Sequence, residues 1–224
     1  GEEFFRYFLD LARLEPHERV LDIGCGTGRM ARPLSRYLTA GSYDGIDIVA
    51  PSIAWCQKTY ARHCPNEHFR FHALDAYNRS YNPAGKYRAA EYRFPFADSS
   101  VDFTFLTSVF THMLPEDMEQ YVREIVRMLK PGGRCLTTYF LLDPGVLQRM
   151  AEGLTTPTFD HELPGCRVSI RDVPEAAVAY DEARIRDLYQ KHGLQIAEPV
   201  RYGSWSGRQD FLSYQDIILA SKRG

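Results

Sequence analysis

Short apolar runs alternate with amphipathic segments along most of the chain. Five runs are apolar enough to predict buried strands, over residues 19–23, 43–48, 69–74, 101–107 and 135–141. Apolar residues at helical spacing predict helices over residues 2–13, 28–38, 51–63, 115–129 and 181–192. Because these strands alternate with helices, we expect an α/β three-layer sandwich, with a mainly parallel sheet covered on both faces.

The end of the chain departs from this alternation. Two further strands are predicted near residues 195–202 and 211–220, separated by the stretch GSWSGRQD. A connection of about eight residues is too short for a parallel crossover, so this pair is expected to be an antiparallel hairpin. Two other stretches, 77–96 and 142–180, fit no element of the plan. Their length and their aromatic residues predict ordered insertions that act as lids.

Composition excludes several classes of protein. With 224 residues, 44% hydrophobic and 25% charged, the chain suits one ordinary globular domain. We expect no membrane span, because no apolar run approaches the ~20 residues that one needs. The net charge of −2 disfavours a nucleic acid partner, although residues 58–93 are locally basic. The five cysteines form no CxxC pair, which argues against a zinc site or a disulfide framework. A cytoplasmic location is therefore predicted.

The stretch VLDIGCGTG, residues 20–28, joins a predicted strand to a predicted helix. Its glycines, Gly24, Gly26 and Gly28, would let a ligand approach the backbone where helix N–H groups are free. Dinucleotide-binding turns have the spacing GxGxxG, whereas this turn is GxGxG and has Arg29 where a third small residue would stand. The turn also lacks the Lys-Ser/Thr pair of a P-loop. NAD and nucleoside triphosphates are thus disfavoured.

Two acids follow the next strands. Asp47 comes about twenty residues after the glycine turn, where a carboxylate can bind both hydroxyls of a ribose. Asp75 ends the third predicted strand in the same way. A glycine turn combined with acids at two neighbouring strand ends predicts a nucleoside lying across that edge of the sheet.

Together these motifs resemble class I S-adenosylmethionine-dependent methyltransferases. VLDIGCGTG is similar to the first motif of that family, GIDI to the second, LDA to the third, FPFADSSVDFTFLTSVFTHM to the fourth region, and MLKPGGRCLTTYF to the fifth strand with its turn. The resemblance covers about residues 19–140. It implies a single methyltransferase domain over 1–224, with a core at about 15–141 and 181–224. It also implies a seven-stranded sheet in the order 3-2-1-4-5-7-6, with strand 7 antiparallel.

The resemblance implies S-adenosylmethionine as the cofactor and assigns residues to it. The methionyl end would lie at the glycine turn, the ribose at Asp47, the adenine at Ile48 and Asp75, and the sulfonium beside Ser108. Purely structural roles remain open for Asp22 and Ile48. The full implied set is Asp22, Gly24, Cys25, Gly26, Gly28, Asp47, Ile48, Asp75, Ala76, Thr107 and Ser108.

His112 is the predicted catalytic base, because histidine ordinarily titrates near neutrality and this one follows the fourth strand. Packing under the cofactor or capping the next helix is its alternative role. No metal site is predicted. His161, Trp205 and Arg208 are predicted to contact the acceptor, with plain packing as the alternative for Trp205.

The acceptor is less well determined than the cofactor. Family members that methylate amides or base amines typically carry Asn or Asp, two prolines and an aromatic residue after the fourth strand, whereas this chain has TSVF there. We therefore expect a small-molecule acceptor, a hydroxyl of a sugar, a lipid-like molecule or a secondary metabolite. A tRNA or protein methyltransferase and a non-catalytic cofactor-binding partner subunit stay open as alternatives. The sequence predicts no oligomeric state.

Overall fold

A computed structural model describes residues 1–63 and 68–224. Cys64 and part of the basic stretch 58–93 lie outside the described residues. The helices are α1 (Glu2–Asp10), α2 (Ala31–Tyr37), α3 (Ala50–His63), α4 (Pro115–Met128), α5 (Pro144–Ala151) and α6 (Glu182–Lys191). Single 3₁₀ turns lie at Ala89–Glu91, Phe110–His112, Pro174–Ala176 and Ser204–Ser206.

The strands build one large sheet and two small ones in the described part of the chain. They are β1 (Arg19–Ile23), β2 (Ser42–Asp47), β3 (Phe69–Ala73), β4 (Ala76–Tyr77), β5 (Tyr87–Arg88), β6 (Val101–Leu106), β7 (Leu129–Tyr139), β8 (Leu141–Leu142), β9 (His161–Leu163), β10 (Cys166–Val168), β11 (Val178–Asp181), β12 (Leu194–Ile196) and β13 (Asp216–Lys222).

The large sheet has seven strands in the order β3-β2-β1-β6-β7-β13-β12. Its strands are parallel except for β13, which runs antiparallel to both β7 and β12. When these seven strands are numbered among themselves, the order is 3-2-1-4-5-7-6. The predicted fold is therefore confirmed.

Alternating residues of each central strand supply two separate apolar cores. Val20 of β1 packs in the core that α1, α2 and α3 cover, with Phe8 and Leu34. Its neighbour Leu21 packs in the core that α4 and α6 cover, with Val122. Burial on both faces explains why β1 and its neighbours are almost continuously apolar.

Two strand boundaries differ from the predictions. Strand β7 begins at Leu129 rather than at residue 135, because residues 130–133 continue the strand through a register shift against β6. The final hairpin is antiparallel as predicted, but residues 197–215 connect its strands, so the expected eight-residue loop is wrong. Pro199 has no N–H to donate to a ladder, and the following segment packs inward around Trp205 instead.

Both predicted insertions contain ordered elements. Residues 77–96 include β5 and a 3₁₀ turn. Residues 142–180 supply α5 and most of a four-stranded sheet in the order β8-β11-β10-β9. A third apolar cluster, with Phe140, Phe159 and Trp205, ties this second insertion to the final hairpin.

Candidate active site

A cavity of about 390 Å³ opens at the carboxyl ends of β1, β2, β3 and β6. Ligands of parallel α/β proteins bind at this edge, and the volume lies within the range of small-molecule sites. Two groups of residues line it. The glycine wall consists of residues 23–29 together with Asp47, and the insertion wall consists of Tyr77, Asn78, Tyr81 and His112.

The glycine wall is formed by backbone in the left-handed conformation. The φ angles of Gly24, Gly26 and Gly28 are +82°, +54° and +74°. A side chain at Gly24 would meet Val109, since its Cβ would lie 2.4 Å from the Val109 Cγ2. A Cβ at Gly26 would meet nothing within 4 Å, so open space stands beside that backbone. The cavity therefore reaches the chain itself at Gly26.

Asp47 holds the glycine turn in place. Its carboxylate accepts hydrogen bonds from the Gly26 N–H (2.7 Å) and from the Val49 N–H (2.8 Å). Each carboxylate oxygen has two lone pairs, so both oxygens keep acceptor capacity toward the cavity that Asp47 lines. Sequence reasoning predicted only the ligand-facing role of this residue.

Three predicted residues do not lie on the cavity lining. Asp22 is buried and accepts a hydrogen bond from the Tyr43 hydroxyl at 2.7 Å. Burial raises the pKa of Asp22 to about 7. Cys25 is buried, and Gly28 accepts a bond from the Tyr60 hydroxyl through its carbonyl.

Ile48, directly after β2, and Ala76, at the start of β4, line the cavity as expected. The side chain of Asp75 does not. It is 44% exposed, lies 3.7 Å from the Lys86 Nζ and accepts a bond from the Lys86 N–H. Both carboxylate oxygens of Asp75 keep acceptor capacity, as those of Asp47 do, so the contact of Asp75 with an adenine edge stays a prediction.

Thr107 and Ser108 line the cavity at the end of β6. Ser108 has a φ of +59°, a strained value for a residue with a side chain. Its N–H donates to the Thr138 Oγ1 at 2.8 Å, and its hydroxyl donates to the Gln215 Oε1 at 3.0 Å. The Thr138 hydroxyl donates to the same Gln215 oxygen at 2.7 Å. This network fixes Ser108 in its unusual conformation.

His112 lies where the two insertions meet. Its Nδ1 is 2.9 Å from the backbone carbonyl oxygen of Glu175, and its ring is edge-on to Tyr81, with centroids 5.7 Å apart. A carbonyl oxygen only accepts hydrogen bonds, so Nδ1 carries the proton. In the neutral ring Nε2 is then the nitrogen with a free lone pair.

The residues predicted to bind the acceptor are not on the cavity lining. Trp205 is 1% exposed, and its Nε1 donates to Asp216 at 2.8 Å, so its ring cannot stack on a ligand. Arg208 pairs with Asp143 and lies over the ring of Tyr202. His161 is exposed on β9. Apolar packing and ion pairing account for the first two positions.

Several lining residues were not predicted. Arg29 continues the glycine turn, Tyr77 ends β4, and Tyr81 lies in the turn that follows it. Asp117 and Tyr121 of α4 also line the cavity. Burial raises the pKa of Asp117, and the nearby Glu116 and Glu175 carboxylates add to the effect. The one sequence signal for this group was the density of tyrosines in the first insertion.

A family model described as a methyltransferase domain matches residues 21–137. The chain belongs to this family. The resemblance to class I methyltransferases is thus confirmed. Among curated relatives, an O-methyltransferase of Penicillium expansum is 30% identical over 156 residues, 65% of this chain. Phthiotriol/phenolphthiotriol dimycocerosates methyltransferase 1 of Mycobacterium ulcerans is 31% identical over 54% of this chain. The chain covers 49% and 37% of these methyltransferases, about half of their length or less.

A solved methyltransferase structure shares the fold. The 1,6-didemethyltoxoflavin-N1-methyltransferase of Burkholderia thailandensis, solved with bound 1,6-didemethyltoxoflavin and S-adenosylhomocysteine, superposes with a TM-score of 0.62 at 16% identity. The match covers 100% of this chain and 77% of that methyltransferase. No helix in the described part of this chain is long and apolar enough to cross a membrane.

Proposed function

We propose that the chain is an S-adenosylmethionine-dependent methyltransferase that methylates a hydroxyl group of a small molecule, of the sugar, lipid-like or secondary-metabolite kind. The observation that carries the proposal is the glycine wall, where bare backbone at Gly26 and the carboxylate of Asp47 face one cavity. Family membership supports the reaction type.

The cavity fits this cofactor. The open space beside Gly26 admits an amino-acid group against backbone, and Asp47 has acceptor capacity left for ribose hydroxyls. Ile48 and Leu74 supply an apolar surface for a base. Cys25 and Gly28 belong to the glycine turn. The residues that would contact the cofactor are Gly24, Gly26, Asp47, Ile48, Ala76, Thr107 and Ser108, and Asp22 lies buried beneath them.

When bound, S-adenosylmethionine supplies a methyl group already activated by a positively charged sulfur. The protein has mainly to align the acceptor with that group, and orientation alone can contribute about 7–11 kcal/mol. Ser108, held rigidly by Thr138 and Gln215, fixes one side of the reacting region.

His112 takes the proton from the acceptor hydroxyl. The bond from Nδ1 to the Glu175 carbonyl orients the ring and leaves Nε2 as the basic atom. A positioned base contributes typically 10²–10⁴-fold to a rate. Alignment is the larger of the two contributions.

One comparison supports a hydroxyl acceptor. The Penicillium relative carries the name O-methyltransferase, which agrees with a hydroxyl as the methylated group.

The test is calorimetric binding of S-adenosylhomocysteine to the purified chain and to Asp47→Ala. We expect micromolar binding by the wild type and a loss of at least tenfold in the variant, because one carboxylate serves both the turn and the ribose. Absence of binding by a folded wild-type chain would refute the proposal.

A further inference from the structure

Part of the cavity lining is left over once the cofactor residues are assigned. Tyr77, Asn78 and Tyr81 come from the first insertion, and His112 and Met113 follow β6. The methyl acceptor has to approach from this insertion wall, because the glycine wall is assigned to the methyl donor.

The turn that carries Tyr81 is held by its own hydrogen bonds. The Asn78 Oδ1 accepts from the N–H groups of Ser80 and Tyr81, both at 2.9 Å, and Asn78 and Asn82 exchange two backbone bonds. The Asn82 side chain donates to the Ala76 carbonyl at 3.0 Å. Backbone bonding, not burial of the ring, therefore sets the position of Tyr81.

The ring itself is left available. Tyr81 is 50% exposed and Tyr77 is 44% exposed, although both line a cavity. Exposed aromatic surface on a preorganised turn is a recognition feature, since little ordering has to be added on binding. Another ring beside Tyr81 would gain the offset or edge-to-face contacts that aromatic pairs prefer. Val109 and Met113 add apolar surface to the same cavity.

The chemistry of a single imidazole limits the hydroxyl that it can activate. A phenol is a far stronger acid than an aliphatic alcohol, because its oxyanion is delocalised into the ring. Transfer of the hydroxyl proton to an imidazole is therefore much less uphill for a phenol than for an aliphatic alcohol. A base of this kind suits an acidic, ring-attached hydroxyl much better than an aliphatic one.

We infer that the acceptor is a phenol, an aromatic ring that packs against Tyr81 and places its hydroxyl at Nε2 of His112. The inference rests on the proposed function and narrows its acceptor class. The phenol O–H bond breaks, and the proton goes to Nε2. The oxygen gives an electron pair to the methyl carbon while the carbon–sulfur bond breaks with its pair on sulfur. The products are an aryl methyl ether, a neutral thioether and an imidazolium that returns its proton to solvent.

The experiment compares phenols of one, two and three rings with their saturated alcohols, for example 2-naphthol with decahydro-2-naphthol. Methyl transfer from labelled S-adenosylmethionine and calorimetric binding in the presence of S-adenosylhomocysteine are measured with the full chain. We expect at least one phenol to be methylated, and its saturated partner to react at least a hundredfold more slowly.

Two tyrosines of the same insertion form a matched pair of variants. Tyr81→Ala should raise the KM or Kd of the phenol at least tenfold and leave the Kd of S-adenosylhomocysteine within twofold. Tyr81→Phe, which keeps the ring, should restore most of that loss. Tyr87→Ala is the control, since Tyr87 is 59% exposed but packs on Tyr92 away from the cavity lining.

Equal turnover of saturated alcohols, equal effects of Tyr81→Ala and Tyr87→Ala, or no phenol bound or methylated by a chain that binds S-adenosylhomocysteine would each overturn the inference. The proposed methyltransferase function would survive those results. Failure to bind S-adenosylhomocysteine would instead remove the proposed function itself.

Discussion

The glycine wall and the insertion wall enclose one cavity but are constructed differently. The glycine wall is backbone, shaped by three residues at positive φ and held by the Asp47 carboxylate. The insertion wall is side chains, carried by a turn that lies outside the minimal fold and by a histidine fixed through Glu175. Backbone contacts suit a ligand that is the same in all related proteins. Side chains on an insertion suit a ligand that differs from one related protein to the next.

His112→Ala should have the largest effect. On an accepted hydroxyl substrate, we expect kcat to fall by about 10²–10⁴-fold, because the general base is removed. The Kd of S-adenosylhomocysteine should stay within threefold, since the glycine wall is untouched. The control is His161→Ala, an exposed histidine of β9 outside the cavity lining. Equal kcat values for the wild type and His112→Ala would show that the histidine of the insertion wall takes no part in the chemical step.

Gly26→Ala tests the glycine wall. A methyl group at residue 26 would enter the open space beside the turn and displace the bound cofactor by about 1 Å. We expect cofactor affinity to fall by about 10²-fold as a result. Gly132→Ala is the matched control, because Gly132 has a φ of +76° and is equally unobstructed but lies in β7. Both variants should lose about 1–2 kcal/mol of folding stability from the strained backbone. Only the first should lose S-adenosylhomocysteine binding in calorimetry.

Asp22→Asn probes the charge buried beneath the glycine wall. The folded-state pKa of Asp22 is raised to about 7, so the folded chain holds a proton that the unfolded chain releases. The stability contributed by this carboxyl is therefore full below pH 4 and is lost as the pH rises toward 7. We expect the variant to be more stable than the wild type by roughly 1–3 kcal/mol at pH 8, with no gain at pH 4, in urea titrations.

Asp216→Asn is the contrasting variant. Asp216 also has a pKa raised to about 7 by burial, but it accepts from the N–H groups of Leu141 and Gly203 and from Trp205. The side-chain amide of the introduced asparagine would point its N–H donors at these donors and leave them without an acceptor. The free energy of unfolding should therefore fall at every pH. If the free energy of unfolding of both variants changed with pH in the same way, local hydrogen bonding would not distinguish the two carboxyl groups.

Gln215→Leu should have the smallest effect. It leaves the hydroxyls of Ser108 and Thr138 without their acceptor and relaxes the positive φ of Ser108. We expect a loss of about five- to tenfold in cofactor affinity, the value of one or two ordinary hydrogen bonds. Gln215→Glu keeps the accepting oxygen and should lose less than threefold. Identical Kd values for the two variants would show that the network does not support the site.

The sequence determines the glycine wall because each requirement falls on one residue type. Positive φ strongly favours glycine at residues 24, 26 and 28, and the carboxylate of Asp47 at the end of β2 bonds directly to that turn. The apolar runs predicted the strands and their burial on both faces, whereas the strand order was implied by the resemblance to class I methyltransferases. Strand β7 was predicted too short because residues 130–133, KPGG, look like a helix end and yet continue into the strand.

The insertion wall could not be predicted in the same way. Tyr81 reaches the cavity through hydrogen bonds of an asparagine turn, which leave no periodic pattern in the chain. The aromatic density of residues 77–96 predicted a lid but did not say which rings face the ligand. Trp205 shows the reverse error. Its place on the closing hairpin suggested a contact with the acceptor, with plain packing as the alternative, and Asp216 and two phenylalanines bury it.

The turn at residues 78–82 makes acceptor choice modular. Its hydrogen bonds close within the segment and onto backbone at the Ala76 carbonyl, the Gly85 N–H and, through the Arg79 guanidinium, the Asp172 carbonyl. These partners lie outside the glycine turn, so the sequence of the segment can change, or be exchanged with that of a relative, without altering the Asp47 link to that turn. Chimeras that swap only this segment should inherit the donor affinity of one parent and the acceptor range of the other. Divergence in such a protein is expected to accumulate first in the five residues that form this small loop.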